Sequence, residues 1–169
     1  MQSSLRSRFG ITWSSGPIGG LDGTPGSHLQ EHVYPNIVDI VDQLSSGAEL
    51  PPADEDDNGV NWCAELIKVW YQAPHTTAWR AGRRLVPGLP LVPGTAIATF
   101  DANGRFPQNG IAHAAIFVRY TRNGDGIVVV DQWRERSTLQ YRSLAWERVD
   151  ADPHVSYVNS AKNFFTITW

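Results

Sequence analysis

The residues of this chain with the clearest chemical potential are one thiol, one imidazole and one carboxylate in a fixed order. Cys63 is the only cysteine among the 169 residues and falls at the start of a predicted helix. His113 begins a later apolar segment, and Asp131 ends the apolar segment after that. A thiolate can attack a carbonyl carbon, an imidazole can carry the proton, and a carboxylate can fix the imidazole tautomer. This order of groups predicts a cysteine hydrolase.

Apolar spacing places Cys63 on the first turn of that helix, which we predict from about residue 62 to 72. The positions at i, i+3, i+4 and i+7 of its buried face are Cys63, Leu66, Ile67 and Trp70. Asn58 or Asn61 is the predicted N-cap. The N-terminus of a helix stabilises a thiolate, and its N–H groups can hold the oxyanion of a tetrahedral intermediate. The alternative is that Cys63 is a small buried hydrophobe.

Two neighbouring side chains compete for the place beside His113. Successive strand residues face opposite sides of a sheet, so a shift of one residue in the hairpin register exchanges Asp131 and Gln132. We predict that Asp131 orients His113, because a carboxylate stabilises an imidazolium better than an amide does. Trp62, Gln132 and Trp133 flank the catalytic positions and are predicted to bind substrate. The alternative for the tryptophans is a place in the core.

The order of elements predicts an α+β fold, in which N-terminal helices pack on a central antiparallel β-sheet. Residues 1 to 35 are rich in Gly, Pro and Ser and are predicted to form loops. A first amphipathic helix is predicted from about Asn36 to Ser46. Predicted strands cover 95–100, 111–120 and 127–133, with further strands at 157–158 and 164–169. We predict one catalytic domain, with an N-terminal extension (1–57), a catalytic core (58–135) and C-terminal strands (136–169).

Composition excludes several classes of function. The net charge is −3 and no block of Lys or Arg stands out, which argues against nucleic acid and anionic membranes as partners. No apolar run approaches the roughly 20 residues that span a bilayer, so no membrane insertion is expected. The N-terminus has no apolar signal segment, and one cysteine cannot form an intramolecular disulfide. We therefore expect a protein made in the cytoplasm, without a cleaved signal peptide.

A zinc site is the rival chemistry. The segment from His28 to His32 matches H-x-x-E-H, in which two histidines can share a metal if they lie on a helix. Pro25 and Pro35 leave room for barely two helical turns. No third ligand stands at a specific spacing, so we predict that the protein uses no metal and no cofactor.

Several stretches resemble the NlpC-type and CHAP peptidoglycan amidases, which are small papain-like enzymes. Residues 93–100 followed by 113–118 are similar to the "PGD…F…HVGIYV" stretch of those enzymes. Residues 61–66 resemble their nucleophile helix, and Val130-Asp131 matches the strand that carries their third catalytic polar residue. Thr95 replaces the usual Asp, which bears on the local loop more than on the chemistry.

This resemblance covers about residues 58–135 and implies a papain-like fold. It also implies a cysteine amidase that cuts peptide bonds in the stem or crosslink of peptidoglycan. With no signal peptide, the chain is most similar to type VI secretion amidase effectors, which are exported to the periplasm of a target cell and neutralised by a cognate immunity protein. A phage lysin domain, a cysteine peptidase or deamidase toxin that acts on protein, and a non-catalytic cell-wall binding module are the alternatives.

Overall fold

The computed structural model describes residues 31–54, 62–134 and 136–169. Within them the helices are α1 (Ile37–Ser45), α2 (Cys63–Tyr71) and α3 (Pro153–Val158), and two 3₁₀ turns cover Thr76–Ala78 and Ala161–Asn163. The strands are β1 (Arg80–Arg84), β2 (Ala96–Thr99), β3 (Ala114–Tyr120), β4 (Gly126–Asp131), β5 (Gln140–Ala145) and β6 (Phe164–Thr168). None of the helices in the described ranges is long and apolar enough to cross a membrane.

The strands form one sheet in the order β1-β6-β2-β3-β4-β5, and the neighbouring strands run antiparallel. Strands β3, β4 and β5 follow one another as a meander, whereas β6 inserts between β1 and β2. Strand β6 is therefore an interior strand of the sheet. The predicted fold, with helices ahead of an antiparallel sheet, is confirmed.

The sheet separates two apolar clusters, and this explains the character of its strands. One cluster lies under α1 and α2 and includes Ile37, Leu66 and Val130. The other lies on the opposite face and includes Phe117 and Val129. Because both faces are covered, β2 and β4 are buried along their whole length, and their sequences are continuous apolar runs.

The predicted strand at 157–158 is wrong, because these residues end α3. The Asp152 carboxylate accepts a hydrogen bond from the backbone N–H of His154, and Pro153 occupies the first helical position. Both features start helices. Two apolar residues are too short a pattern to separate a period of two from one of 3.6.

Strands β1 and β5 were not predicted because they form the two edges of the sheet. Their residues are mostly partly or fully exposed, and Leu144 is the one buried residue of β5. An edge strand has one paired side and a largely polar sequence, so its apolar alternation is weak. The predicted loops over residues 1–30 lie outside the described residues.

Candidate active site

The candidate nucleophile stands at the N-terminus of α2. Trp62 is the N-cap residue, with extended backbone (φ −63°, ψ 146°) and no side-chain cap, and Cys63 is the first helical residue. The predicted caps, Asn58 and Asn61, lie outside the described residues. Leu66 and Ile67 are fully buried and anchor the helix in the core beside β3. Cys63 itself is only partly buried, so its sulfur is held at the positive end of a fixed helix while remaining accessible.

His113 lies against this thiol although it is distant in sequence. The sulfur of Cys63 is 3.7 Å from the carbonyl oxygen of Ala112, the residue before His113. The interaction with the Cys63 thiol is also one of the causes that raise the pKa of His113. Two hydrogen bonds of 2.9 Å with Thr99 hold His113 beside the end of β2. The His113 N–H donates to the Thr99 side-chain Oγ1, and the His113 carbonyl accepts from the Thr99 N–H.

Asp131, and not Gln132, faces the imidazole. Ala115 of β3 pairs directly with Asp131 of β4, so His113, two residues earlier, is the diagonal neighbour of Asp131 on the same face. The His113 Nε2 lies 2.7 Å from Asp131 Oδ2, and the carboxylate is fully buried. A hydrogen bond donated by Nε2–H leaves Nδ1 as the ring nitrogen available to the thiol.

The electrostatics of this pair favour an imidazolium. Burial alone would lower the pKa of His113, but hydrogen bonds to Asp131 and Cys63 and the charges of both raise it to about 9. Burial would likewise raise the pKa of Asp131, yet bonding to His113 and the charges of His113 and Arg142 lower it. The imidazole is therefore protonated and the carboxylate ionised at neutral pH.

Arg142 of β5 holds the buried carboxylate in place. Its Nε and Nη2 donate to Asp131 Oδ2 at 3.0 and 2.7 Å, and its Nη1 donates to Asn159 Oδ1 at 2.7 Å. Its guanidinium also lies 4.9 Å from the ring centroid of Trp133. Arg142 is not among the predicted site residues, because its strand was not predicted. The available signal was physical, since a buried carboxylate needs a second partner.

The three side chains predicted to bind substrate have different surroundings. Trp62 is 45% exposed. Trp133 is partly exposed, and the guanidinium groups of Arg136 and Arg142 lie 5.2 and 4.9 Å from its ring centroid. Gln132 is fully buried, and its amide bonds to backbone groups of Ala53 and Trp62. Gln132 is therefore closed off from solvent, and its contact with substrate stays a prediction that this burial does not favour.

An open groove runs past the sulfur between α2 and the segment before β3. Its lining residues are Trp62, Cys63, Ala64, Glu65, Lys68, His75, Thr76, Phe106, Pro107, Gln108, Gly110 and Ala112. The aromatic rings of Trp62 and Phe106 form an apolar part of the lining. Lys68 and Glu65 form an ion pair of 2.9 Å. Of the three side chains predicted to bind substrate, Trp62 lines this groove. Gln132 and Trp133 are not among the described residues that line it.

The H-x-x-E-H segment falls only partly within the described residues, since His28 lies outside them. Glu31 pairs with Arg83, and the His32 ring stacks on Trp169 with centroids 3.3 Å apart. The part of the chain that the structure describes contains no group of three or more His, Cys, Asp or Glu side chains that could hold a metal.

The helix-before-sheet fold, with a thiol at a helix start and an imidazole and a carboxylate on adjacent strands, defines a papain-like hydrolase. A solved structure, "Type 6 secretion amidase effector 2 (Tae2)", aligns with a TM-score of 0.57 at 27% identity over 80% of this chain and 93% of its own. The chain also matches the model of the family "Domesticated amidase effector 2" over residues 54–167, and it belongs to that family.

A curated relative points the same way. The chain is 36% identical over 113 residues to the "Type VI secretion amidase effector 2 protein" of Salmonella typhi. The alignment covers 62% of this chain and 83% of the relative. The predictions of a papain-like fold and of a type VI secretion amidase effector are confirmed, and the chain is a hydrolase of amide bonds. An antibacterial effector that cuts peptidoglycan is consistent with these relatives.

Proposed function

We propose that this protein hydrolyses peptide bonds in the stem or crosslink of peptidoglycan, with Cys63 as nucleophile, His113 as acid and base, and Asp131 as the group that orients His113. The observation that carries the proposal is the meeting of three elements at one point. The sulfur at the start of α2 contacts the segment of His113, and His113 bonds to a buried carboxylate of β4.

The first half of the reaction forms a thioester. The Cys63 thiolate attacks the amide carbon, and the electron pair of the carbonyl moves to its oxygen, near the N–H groups of the first turn of α2. As the tetrahedral intermediate collapses, the C–N bond breaks. The His113 imidazolium gives its proton to the leaving amine.

The second half restores the enzyme. Neutral His113 takes a proton from water, and the resulting hydroxide attacks the thioester carbon. The C–S bond breaks, the acid product leaves, and Cys63 returns as the thiolate beside a protonated His113. No metal or cofactor takes part in either half.

The groove beside the sulfur suits an extended peptide. We propose that Trp62 and Phe106 pack against apolar side chains of the substrate, while the Lys68–Glu65 pair offers both charges to its amines and carboxylates. In this proposal Trp133 helps to position Arg142 through the contact between its ring and the guanidinium group. The peptides of the bacterial cell wall carry amines, carboxylates and methyl groups within a few residues, which matches this mixed lining.

We expect the alkaline limb of kcat/KM to lie near pH 9 and to move to lower pH in Asp131→Asn. The raised pKa of His113 means that its proton persists above the ordinary value of 6.5 and is lost as the pH passes about 9. The leaving amine needs that proton. Asp131→Asn removes the charge that holds it, so the limb shifts downward. The measurement is kcat/KM on purified muropeptides from pH 5 to 10.

Asp125→Asn is the matched control for this profile. Asp125 is an exposed carboxylate in the turn before β4, at the opposite end of that strand from Asp131. An alkaline limb at the same pH in Asp131→Asn and the wild-type enzyme would contradict the proposed pairing.

We expect the protein to lyse a Gram-negative cell when a periplasmic leader is attached and to be harmless in the cytosol, where peptidoglycan is absent. Cys63→Ala should cancel the lysis at equal expression. Lysis is followed by culture density, and mass spectrometry of the digested muropeptides identifies the bond that is cut. Equal toxicity in both compartments would instead indicate a protein target.

An antibacterial effector needs a neutralising partner in the cell that makes it. We propose that a cognate immunity protein covers the groove around Cys63 and His113. A small hydrolase is blocked most directly by filling its concave site. Co-expression of such a partner in the periplasm should restore growth, and substitutions at the exposed Trp62 should weaken the complex.

A further inference from the structure

We infer that Gln132 is a positioning residue that fixes the nucleophile helix relative to the imidazole, an inference that rests on the cysteine mechanism proposed above. The side chain is fully buried, and within the described part of the chain it makes three hydrogen bonds, each to backbone. It accepts from the N–H of Ala53 at 2.8 Å, and it donates to the carbonyls of Ala53 at 2.8 Å and of Trp62 at 2.9 Å.

The Trp62 carbonyl is the point at which this contact acts on the nucleophile. It belongs to the N-cap residue of α2, and it also accepts the bond from the N–H of Glu65 at 3.0 Å that closes the first turn. Cys63 is the next residue along the chain. A displacement of this carbonyl therefore moves the backbone that carries the sulfur.

Asp131, the residue before Gln132, positions the other reacting group, the imidazole of His113. Asp131 and Gln132 are consecutive at the end of β4, so their side chains leave opposite faces of the strand. Asp131 bonds to His113, and Gln132 bonds to the start of the nucleophile helix. One short stretch of backbone thus sets the position of both groups, and the distance between Cys63 and His113 depends on it.

Distance matters here because proton transfer and nucleophilic attack require close contact. A misplacement of about 1 Å can lower a catalysed rate by about 10²-fold. The amide of Gln132 can hold these backbone groups because it has both an acceptor and two donors. Its oxygen accepts the bond from Ala53, and its nitrogen donates the other two. Neither an apolar side chain nor a carboxylate can satisfy them.

The test is Gln132→Met, which keeps the length of the side chain and removes the three bonds. We expect kcat to fall by about 10- to 100-fold, with KM changed by less than about threefold, because the groove is intact. We also expect slower alkylation of the sole cysteine by iodoacetamide at pH 6. An isolated thiol is almost wholly protonated there, so the rate reports on the Cys63–His113 pair.

Thr166→Val is the matched control. Thr166 is also fully buried, and its Oγ1 accepts a hydrogen bond from the backbone N–H of Arg83 on another strand, with no contact to the site. Both variants are compared at a temperature at which circular dichroism shows them fully folded. If Gln132→Met does not fold, Gln132→Asn takes its place, because it keeps the acceptor and the donors on a side chain shorter by one methylene, and a smaller loss in the same direction is expected.

Unchanged kcat and alkylation in the folded Gln132 variants would overturn the inference, and so would an equal loss in Thr166→Val. Failure of the underlying mechanism has a different signature. In that case Cys63→Ala and His113→Ala would keep wild-type activity whatever happens at Gln132.

Discussion

Cys63→Ala is expected to lower kcat/KM for muropeptide hydrolysis by at least about 10³-fold. The reason is that the proposed route passes through a thioester, and Cys63 is the only cysteine of the sequence. Cys63→Ser should lose a similar amount, because a hydroxyl beside an imidazole placed for a larger sulfur is a weaker nucleophile. The measurement is chromatographic quantification of product peptides under single-turnover conditions.

Val69→Ala is the control for this prediction. Val69 is 41% exposed on the same helix, so its truncation tests whether a change in α2 by itself affects turnover. Trapping of a thioester with hydroxylamine would add direct support. Hydrolysis at the wild-type rate by Cys63→Ala would exclude the thiol as nucleophile.

His113→Ala is expected to cause a loss as large as that of Cys63→Ala. Without the imidazole the thiolate loses the cation proposed to pair with it, and the leaving amine loses the proposed proton donor. Because the two groups act as a unit, the double variant should be no slower than either single variant. Asp131→Ala should retain part of the activity, because Asp131 orients the imidazole and does not carry the proton itself.

The control for His113 is His154→Ala, which removes an exposed histidine near the start of α3. Rates are compared by the same product assay, with melting temperatures measured in parallel. Additive losses in the Cys63 and His113 double variant would show that the two side chains act separately, against the proposed pair.

Much of this site could be predicted because its main groups stand at places where short-range patterns are strong. The helix that carries Cys63 follows the 3.6-residue apolar period, and its observed ends lie one residue inside the predicted ones. Strands β2, β3 and β4 are apolar runs bounded by turn residues. These patterns depend on residues a few positions apart, so one sequence is sufficient to find them.

The partners of the site residues depended instead on the tertiary structure. Pairing of Ala115 with Asp131 decides that Asp131, and not Gln132, faces His113, and a slip of one residue would have reversed this. Arg142 reaches the carboxylate only because β5 pairs with β4.

The sequence by itself determined which chemical groups the protein could use, and the tertiary structure decided which of them meet. Cys63 at a helix start and His113 at a strand start follow from local propensity. The contacts of Gln132 with Ala53 join residues 79 positions apart, and no local pattern records them. Such contacts arise from strand register and the packing of helices on the sheet, which are properties of the whole folded chain.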